Sequence, residues 1–205
     1  GMEGGSAIAR TLFGDVNPSG KLPVTFPRVL DDSPAHTSVR TFPGDGKSVY
    51  YDEELFVGYR HFDKRGIEPL FAFGHGLSYT EFTYSELQVN GGTFAEGDDI
   101  EISFTLTNSG PVAGAEIVQL YVADRQAPED RPERALKGFC KVALKSSESH
   151  TVNLRLQANE LAVFCPEKNA WVLQATEYEL LLGSSSRDIR LRRSIAISAS
   201  TGQIL

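Results

Sequence analysis

Carboxylate pairs, histidines and thiols are the side chains that most often carry acid–base, metal or nucleophilic chemistry. Asp31-Asp32 and Glu53-Glu54 are adjacent carboxylates that could divide acid and base roles. Adjacent residues of an extended chain point to opposite sides, so neither pair converges on one reacting atom unaided. Both read as solvated charges. Glu3, in the glycine-rich run Gly1-Met2-Glu3-Gly4-Gly5-Ser6, is the best single acid or base. Its plainer role is to favour a helix N-terminus, worth about 0.3–1 kcal/mol. His36, His61, His75 and His150 have no zinc-ligand spacing with one another or with cysteine. His75, between Gly74 and Gly76, reads as a hydrogen-bonding residue of a tight turn. Gly74-His75-Gly76 lacks the third glycine and strand-to-helix context of a phosphate cradle, and no nucleophile-elbow sequence supports a Ser-His-Asp triad. Cys140 and Cys165 are too few for a disulfide framework. They read as two independent thiols, with a single bridge as the alternative.

A net charge of −7 over 205 residues argues against a nucleic-acid partner and against an anionic membrane surface. Hydrophobic and charged shares of 40% and 23% are those of an ordinary globular chain. No apolar run has the length of a membrane span. No Asn-x-Ser/Thr sequon occurs, and Gly1 to Ser19 lacks the layout of a signal peptide. Arg187, Arg190, Arg192 and Arg193 read as a solvated face or a domain contact.

Three segments must position these groups. Residues Ser6 to Phe13 predict a short helix capped by Ser6, with Ile8 and Leu12 on one face and Gly14 ending it. Asn17-Pro18-Ser19-Gly20 is a turn, and Lys21 to Phe26 an extended piece. Helix, turn and strand cannot close a core alone, so an apolar face is expected to stay uncovered. Arg28 to Lys47 reads as a long loop. Val49 to Phe62 is rich in aromatics (Tyr50, Tyr51, Phe56, Tyr59, Phe62), expected to pack the connector on its neighbour, with sugar stacking by one of them as the alternative. From about Glu81 the pattern has period 2. Ile100, Ile102, Phe104 and Leu106 alternate with polar residues, as do Val152, Leu154 and Leu156. Val118, Leu120 and Val122 alternate with Gln119 and Tyr121. Tyr178, Leu180 and Leu182 follow, then Ile189 and Leu191. Turn clusters at Asn90-Gly91-Gly92, Asn108-Ser109-Gly110-Pro111 and Gly183-Ser184-Ser185-Ser186 separate the runs. Roughly seven strands predict an antiparallel sandwich of immunoglobulin size, with Trp171 as a core or inter-sheet anchor.

Several phrases resemble family 3 glycoside hydrolases. Gly14-Asp15-Val16-Asn17-Pro18-Ser19-Gly20-Lys21-Leu22-Pro23-Val24-Thr25-Phe26-Pro27 is similar to a signature near the end of that family's α/β sandwich domain. Pro69-Leu70-Phe71-Ala72-Phe73-Gly74-His75-Gly76-Leu77-Ser78-Tyr79-Thr80 resembles its lead into a fibronectin type III-like domain. Thr107-Asn108-Ser109-Gly110, Glu116-Ile117-Val118-Gln119-Leu120-Tyr121-Val122 and Arg134-Ala135-Leu136-Lys137-Gly138-Phe139 resemble that last domain. Cys140 and Cys165 depart from the family habit.

The resemblance implies a mainly β fold: an immunoglobulin/fibronectin III-like antiparallel β-sandwich preceded by an incomplete remnant of an α/β sandwich domain. Its expected units are residues 1–48 (the remnant), 49–80 (the aromatic-rich connector) and 81–205 (the fibronectin type III-like domain). It implies the C-terminal part of a retaining β-glucosidase, active in polysaccharide and cellulose degradation and expected to be secreted, with an intracellular protein left open. The catalytic Asp and Glu would lie on upstream domains, so no catalytic, metal or cofactor-binding residue is expected here. The upstream domains are the expected partners, and a β-glucoside would be met only through the parent. The alternatives are a stand-alone β-sandwich binding or adhesion module, and a short chain that self-associates through its uncovered face.

Overall fold

The computed structural model describes residues 1–128 and 130–198. Residues 199–205, the end of the expected third unit, lie outside the described residues.

Helix α1 spans Gly4–Leu12 and starts at Glu3, not at Ser6; no side chain caps it. The glycines Gly4 and Gly5 are taken into its first turn, which moves the start upstream. Gly14, at φ +85°, closes the far end. No residue of α1 is buried, and Ile8 and Leu12 are 63% and 71% exposed. The expected polar loop at 28–47 contains two single 3-10 turns, Leu30–Asp32 and Pro34–His36. Helix α2, Tyr59–Arg65, runs between Gly58 and the left-handed Gly66, and buries His61 and Phe62.

Ten strands follow. They are β1 Phe82–Val89, β2 Thr93–Phe94, β3 Asp99–Asn108, β4 Gly114–Asp124, β5 Arg134–Leu144, β6 Ser149–Gln157, β7 Val163–Cys165, β8 Ala170–Val172, β9 Glu177–Gly183 and β10 Ile189–Ile197. One sheet has the order β1-β3-β6, the other β2-β10-β9-β4-β5, and β7-β8 is a separate hairpin. Every pair is antiparallel except β2 on β10, where Thr93 and Phe94 lie parallel to Ala196 and Ile197. The count exceeds seven because β2, β7 and β8 are too short to show an alternation.

The core forms where the alternation places it. Ile100, Ile102, Phe104 and Leu106 on β3 face Val118, Leu120, Leu180 and Leu182, and all are at most 1% exposed. Each such side chain is worth about 1.5–3 kcal/mol on burial. Tyr84 stacks on Phe104 at 5.6 Å between ring centroids. Ile189 and Leu191 do not share a face as their spacing suggests. The pairing of β10 with β9 shifts between them, so Leu191 joins the main core while Ile189 packs with Tyr121. An extra residue in one strand reverses every later side chain. Trp171 is not a core anchor. It stands 53% exposed on the β7–β8 hairpin, edge-on to Phe164.

Asn108 ends β3 and is fully buried. Its Oδ1 accepts from Thr80 Oγ1 at 2.5 Å and from the Gly110 N–H at 3.1 Å. Its Nδ2 donates to the Val112 and Leu144 carbonyls at 2.8 and 3.2 Å. The four bonds tie the end of β3 to the end of β5 and to the segments leading into β1 and β4. Gly110 is required beside it, because a Cβ there would strike Thr80 Oγ1. Asn108→Ala strands several of these groups out of reach of water. It is expected to lower stability by about 3 kcal/mol, read as a shifted urea midpoint at constant slope.

Candidate interdomain interface

The residues that the alternation assigns to the outside of β4 are not outside. Gln119 is 3% exposed and Tyr121 0%. Tyr121 forms a second apolar cluster with Ala123 and Leu181, covered by Tyr59, Phe73, Leu136 and Ile189. Tyr59 of α2 meets the Tyr121 ring edge-on at 5.7 Å and Phe73 at 5.3 Å. The Tyr59 hydroxyl accepts the Leu136 N–H at 3.0 Å. Gln119 resolves the polar side of this contact. Its Nε2 donates to the Ser184 carbonyl at 2.7 Å and reaches the Gly74 carbonyl at 3.4 Å, while its Oε1 accepts from Tyr121 Oη at 2.6 Å. Burial pushes the Tyr121 phenol above its ordinary value, so it stays a neutral donor. Gly74, at φ +80°, lies where a Cβ would collide with the Gln119 amide. The turn therefore admits glycine on two counts.

Charged groups frame this contact. Asp63 in the last turn of α2 is 4% exposed at its side chain. It meets Arg134 Nε of β5 at 2.8 Å and Arg187 Nη2 at 3.1 Å. The second contact is an ion pair without hydrogen-bond alignment, whereas Arg187 does donate to the Ile67 carbonyl at 3.2 Å. Lys21 and Glu116 pair at 2.8 Å with side-chain exposures of 15% and 10%. Asn17 joins three segments: Nδ2 donates to the Ala113 carbonyl at 2.9 Å, and Oδ1 accepts from Tyr79 N–H at 2.9 Å and Ser78 Oγ at 3.1 Å. The extended piece at Lys21–Phe26 is held by Leu22 N–H to the His75 carbonyl, Gly74 N–H to the Leu22 carbonyl, and the Phe26–Phe71 bridge. Ser186 N–H to the Phe73 carbonyl at 2.9 Å carries the contact onto the sandwich.

The acidic and histidine candidates serve local structure. Glu3 flanks α1, and Asp32 Oδ2 accepts the Arg28 and Val29 N–H groups at 3.2 Å each. Glu54 adopts φ +50°. The His75 ring stacks on Phe71 at 5.1 Å while its backbone makes the turn. His36 packs on Phe42. Cys140 and Cys165 are free thiols. Among the described residues no group of three or more His, Cys, Asp or Glu converges as a metal site. Of the four arginines near the end, Arg187 is the domain contact, while Arg190 pairs with Asp188 and Arg192 with Glu179. Sequence reasoning missed Gln119, Asp63 and Arg134. The one available signal was Tyr121, a large aromatic in the row that alternates with Val118, Leu120 and Val122.

The segment before the sandwich is covered on one side only. Of the 24 large apolar side chains exposed among the described residues, 20 lie between Met2 and Tyr79. They include Ile8, Leu12 and Phe13 of the α1 region, and Val24, Phe26, Val57 and Phe71. A largely apolar cleft of about 400 Å3 opens among Pro23, Val24, Val57, Tyr59, Phe62 and Phe73.

Breaking a buried pair by removing one partner costs about 3–5 kcal/mol. Asp63→Ala leaves Arg134 and Arg187 facing each other and is expected to cost about 3 kcal/mol in chemical denaturation. His61 provides a pH test. It is 5% exposed, with Nε2 at 3.1 Å from the Asp32 carbonyl. Burial pushes its imidazole below the ordinary value, with Arg65 adding to the effect and the Asp32 carbonyl opposing it. Below a pH of about 6.5 the unfolded chain takes up a proton that the folded chain resists. Stability from this residue is therefore complete above that pH and is lost as pH falls through it, levelling off below the folded pKa. The stability difference between the protein and His61→Gln should change with pH in that window; a constant difference would contradict the assignment.

Comparison with known proteins fits this geometry. Residues 1–79 match the family described as the glycosyl hydrolase family 3 C-terminal domain, and residues 116–186 match the fibronectin type III-like domain. The thermostable beta-glucosidase B of Acetivibrio thermocellus is 45% identical over 196 residues, covering 96% of this chain and 26% of that protein. Beta-glucosidase B of Emericella nidulans is 40% identical, covering 97% and 24%. Among solved structures, beta-glucosidase 3B from Thermotoga neapolitana in complex with alpha-D-glucose superposes with a TM-score of 0.86 at 40% identity, over 96% of this chain and 27% of that one. The Trichoderma reesei beta-D-glucoside glucohydrolase gives 0.83 at 33%, over 96% and 29%. The chain thus spans about a quarter of the length of the curated relatives it matches. With one matched region on each side of the Gln119 and Asp63 contacts, the chain belongs to glycoside hydrolase family 3 and joins part of its C-terminal domain to a fibronectin type III-like domain.

Proposed function

We propose that this chain is the C-terminal support of a β-glucosidase. The parent enzyme hydrolyses terminal non-reducing β-D-glucosyl residues with retention of configuration, and this part does no chemistry of its own. One observation carries the reading: among the described residues, 20 of the 24 exposed large apolar side chains lie in the family 3 segment, and few in the sandwich. A surface of that kind marks a contact with further protein. The occupant is the remainder of the same domain. A retaining glycosidase needs two carboxyl groups about 5–5.5 Å apart across the bond to be cleaved. In this reading both belong to upstream domains. Holding such a pair in place requires rigid support behind it. The Asp63–Arg134–Arg187 and Gln119–Tyr121 contacts supply that rigidity by fixing the segment to a sandwich with its own core. Divisions at residues 48 and 80, and secretion of the parent, are parts of the same proposal and rest on the family resemblance.

The second reading, a stand-alone binding or adhesion module, is favoured by the exposed pair Phe164 and Trp171. It explains those two residues but not the apolar face of residues 2–79.

Hydrolysis of 4-nitrophenyl β-D-glucopyranoside separates the readings. The 205-residue chain is expected to release no nitrophenol above buffer, and a chain extended upstream to the family's full domain set is expected to turn over. Steady turnover by the short chain would overturn the proposal. An inactive but folded long chain would favour the binding module.

A further inference from the structure

A cleft of about 400 Å3 lies between the sandwich, the β7–β8 hairpin and Arg60 of α2, beside the contacts described above. One wall is β4, β5 and β9, contributing Val122, Ala135 and Tyr178. The other is the β7–β8 hairpin with Phe164 and Trp171, and Leu161 of the preceding turn closes the bottom. Its size and aromatic lining are those of a small-molecule pocket. The Phe164 and Trp171 rings meet edge-on at 5.8 Å, which holds the indole upright on a two-stranded hairpin while leaving half of it open to solvent.

The charges at its rim do not cancel. Arg60, Arg131 and Lys137 line the cleft against one carboxylate, Asp124. Asp124 Oδ1 already accepts the Gln126 N–H at 2.9 Å. Arg131 is held by Gln174 Oε1 at 2.9 Å. Neither Arg60 nor Lys137 has a carboxylate within ion-pair distance among the described residues. Lys137 Nζ donates to the Glu160 carbonyl, one bond for an ammonium with three donors. Burial pushes the Lys137 ammonium below its ordinary value, with the Glu160 carboxylate opposing and the nearby Arg60 adding to the effect. Two cations at an apolar, aromatic cavity with no carboxylate at ion-pair distance form a complementary site for a ligand with the opposite arrangement.

We propose that this cleft binds a small organic anion: an aromatic body against Trp171 and Phe164, with a carboxylate received by Lys137 and Arg60. The ring would lie on the open indole face, and the carboxylate would complete the donors left over on the ammonium and guanidinium. This site borders the support contacts through Arg60, whose guanidinium lies 5.9 Å from the Tyr59 ring centroid, but it uses none of the Gln119 hydrogen bonds or Asp63 ion pairs.

Trp171 is the single tryptophan of the chain, so its indole N–H gives one unambiguous nuclear magnetic resonance signal. The test titrates the 205-residue chain with 4-phenylbutyrate and, separately, with 4-phenylbutan-1-ol, its uncharged counterpart. The acid is expected to move the indole signal saturably and to bind better than the alcohol by on the order of tenfold. Lys137→Gln and Arg60→Gln should each remove most of that advantage while leaving the alcohol's affinity and the rest of the spectrum unchanged. Equal affinities for acid and alcohol would overturn the anion site and leave an apolar cleft only. No shift of the indole signal with either compound, or an undiminished preference for the acid in both variants, would overturn the proposal as well.

Discussion

The middle of β4 has no face turned to water, and the remaining architecture follows from that. Val118, Leu120 and Val122 point into the sandwich, and Gln119 and Tyr121 on the opposite face are buried as deeply. A strand buried on both sides needs a second layer, here α2 and the segment around Phe73 and Gly74. The amide of Gln119 could not be left unpaired in that position without a penalty of about 1–3 kcal/mol. It is paired at both ends, to Tyr121 and to the Ser184 and Gly74 carbonyls. Two of those partners, Gly74 and Ser184, come from distant parts of the sequence, so one side chain sets the register of connector against sandwich.

Charge is used in the same place for a different purpose. Buried ion pairs add little net stability over apolar packing, because desolvating both partners costs nearly what their attraction returns. What they do supply is a strong penalty for misalignment. Asp63 between Arg134 and Arg187, and Lys21 against Glu116, therefore restrict how the two parts dock more than they glue them. A connector held in one orientation is what a part carrying a large uncovered apolar face requires. That face can complete a larger domain only if it is presented at a fixed angle.

The sandwich was legible in the sequence because its strands obey a simple period. Ile100 to Leu106 shows apolar and polar residues in strict alternation, and the core is built from that row. Ile189 and Leu191 misled because the shift in pairing between β10 and β9 is a matter of partner strands, which one strand's own pattern does not encode. Trp171 misled because size and apolarity favour burial on average, while the residue sits on a separate two-stranded hairpin with half its surface exposed. Of the interface, Asn17 and Gly74 were visible as turn residues, but their partners were not. A side chain such as Gln119 looks like any solvent-facing polar residue until the segment that covers it is known. Family phrases located both sides of the contact without revealing the contact itself.

If the Gln119 and Asp63 contacts unite segment and sandwich, residues 17–79 and the sandwich should unfold as one cooperative unit. Amide hydrogen exchange read residue by residue is the direct measurement. Leu22, Gly74 and Ser186, whose N–H groups bond within and across the contact, are expected to exchange with the same opening free energy as Leu120 and Leu180 in the core. Rapid exchange at Leu22 and Gly74 beside a fully protected Leu120 and Leu180 would show a segment that peels away on its own, and would contradict a rigid support.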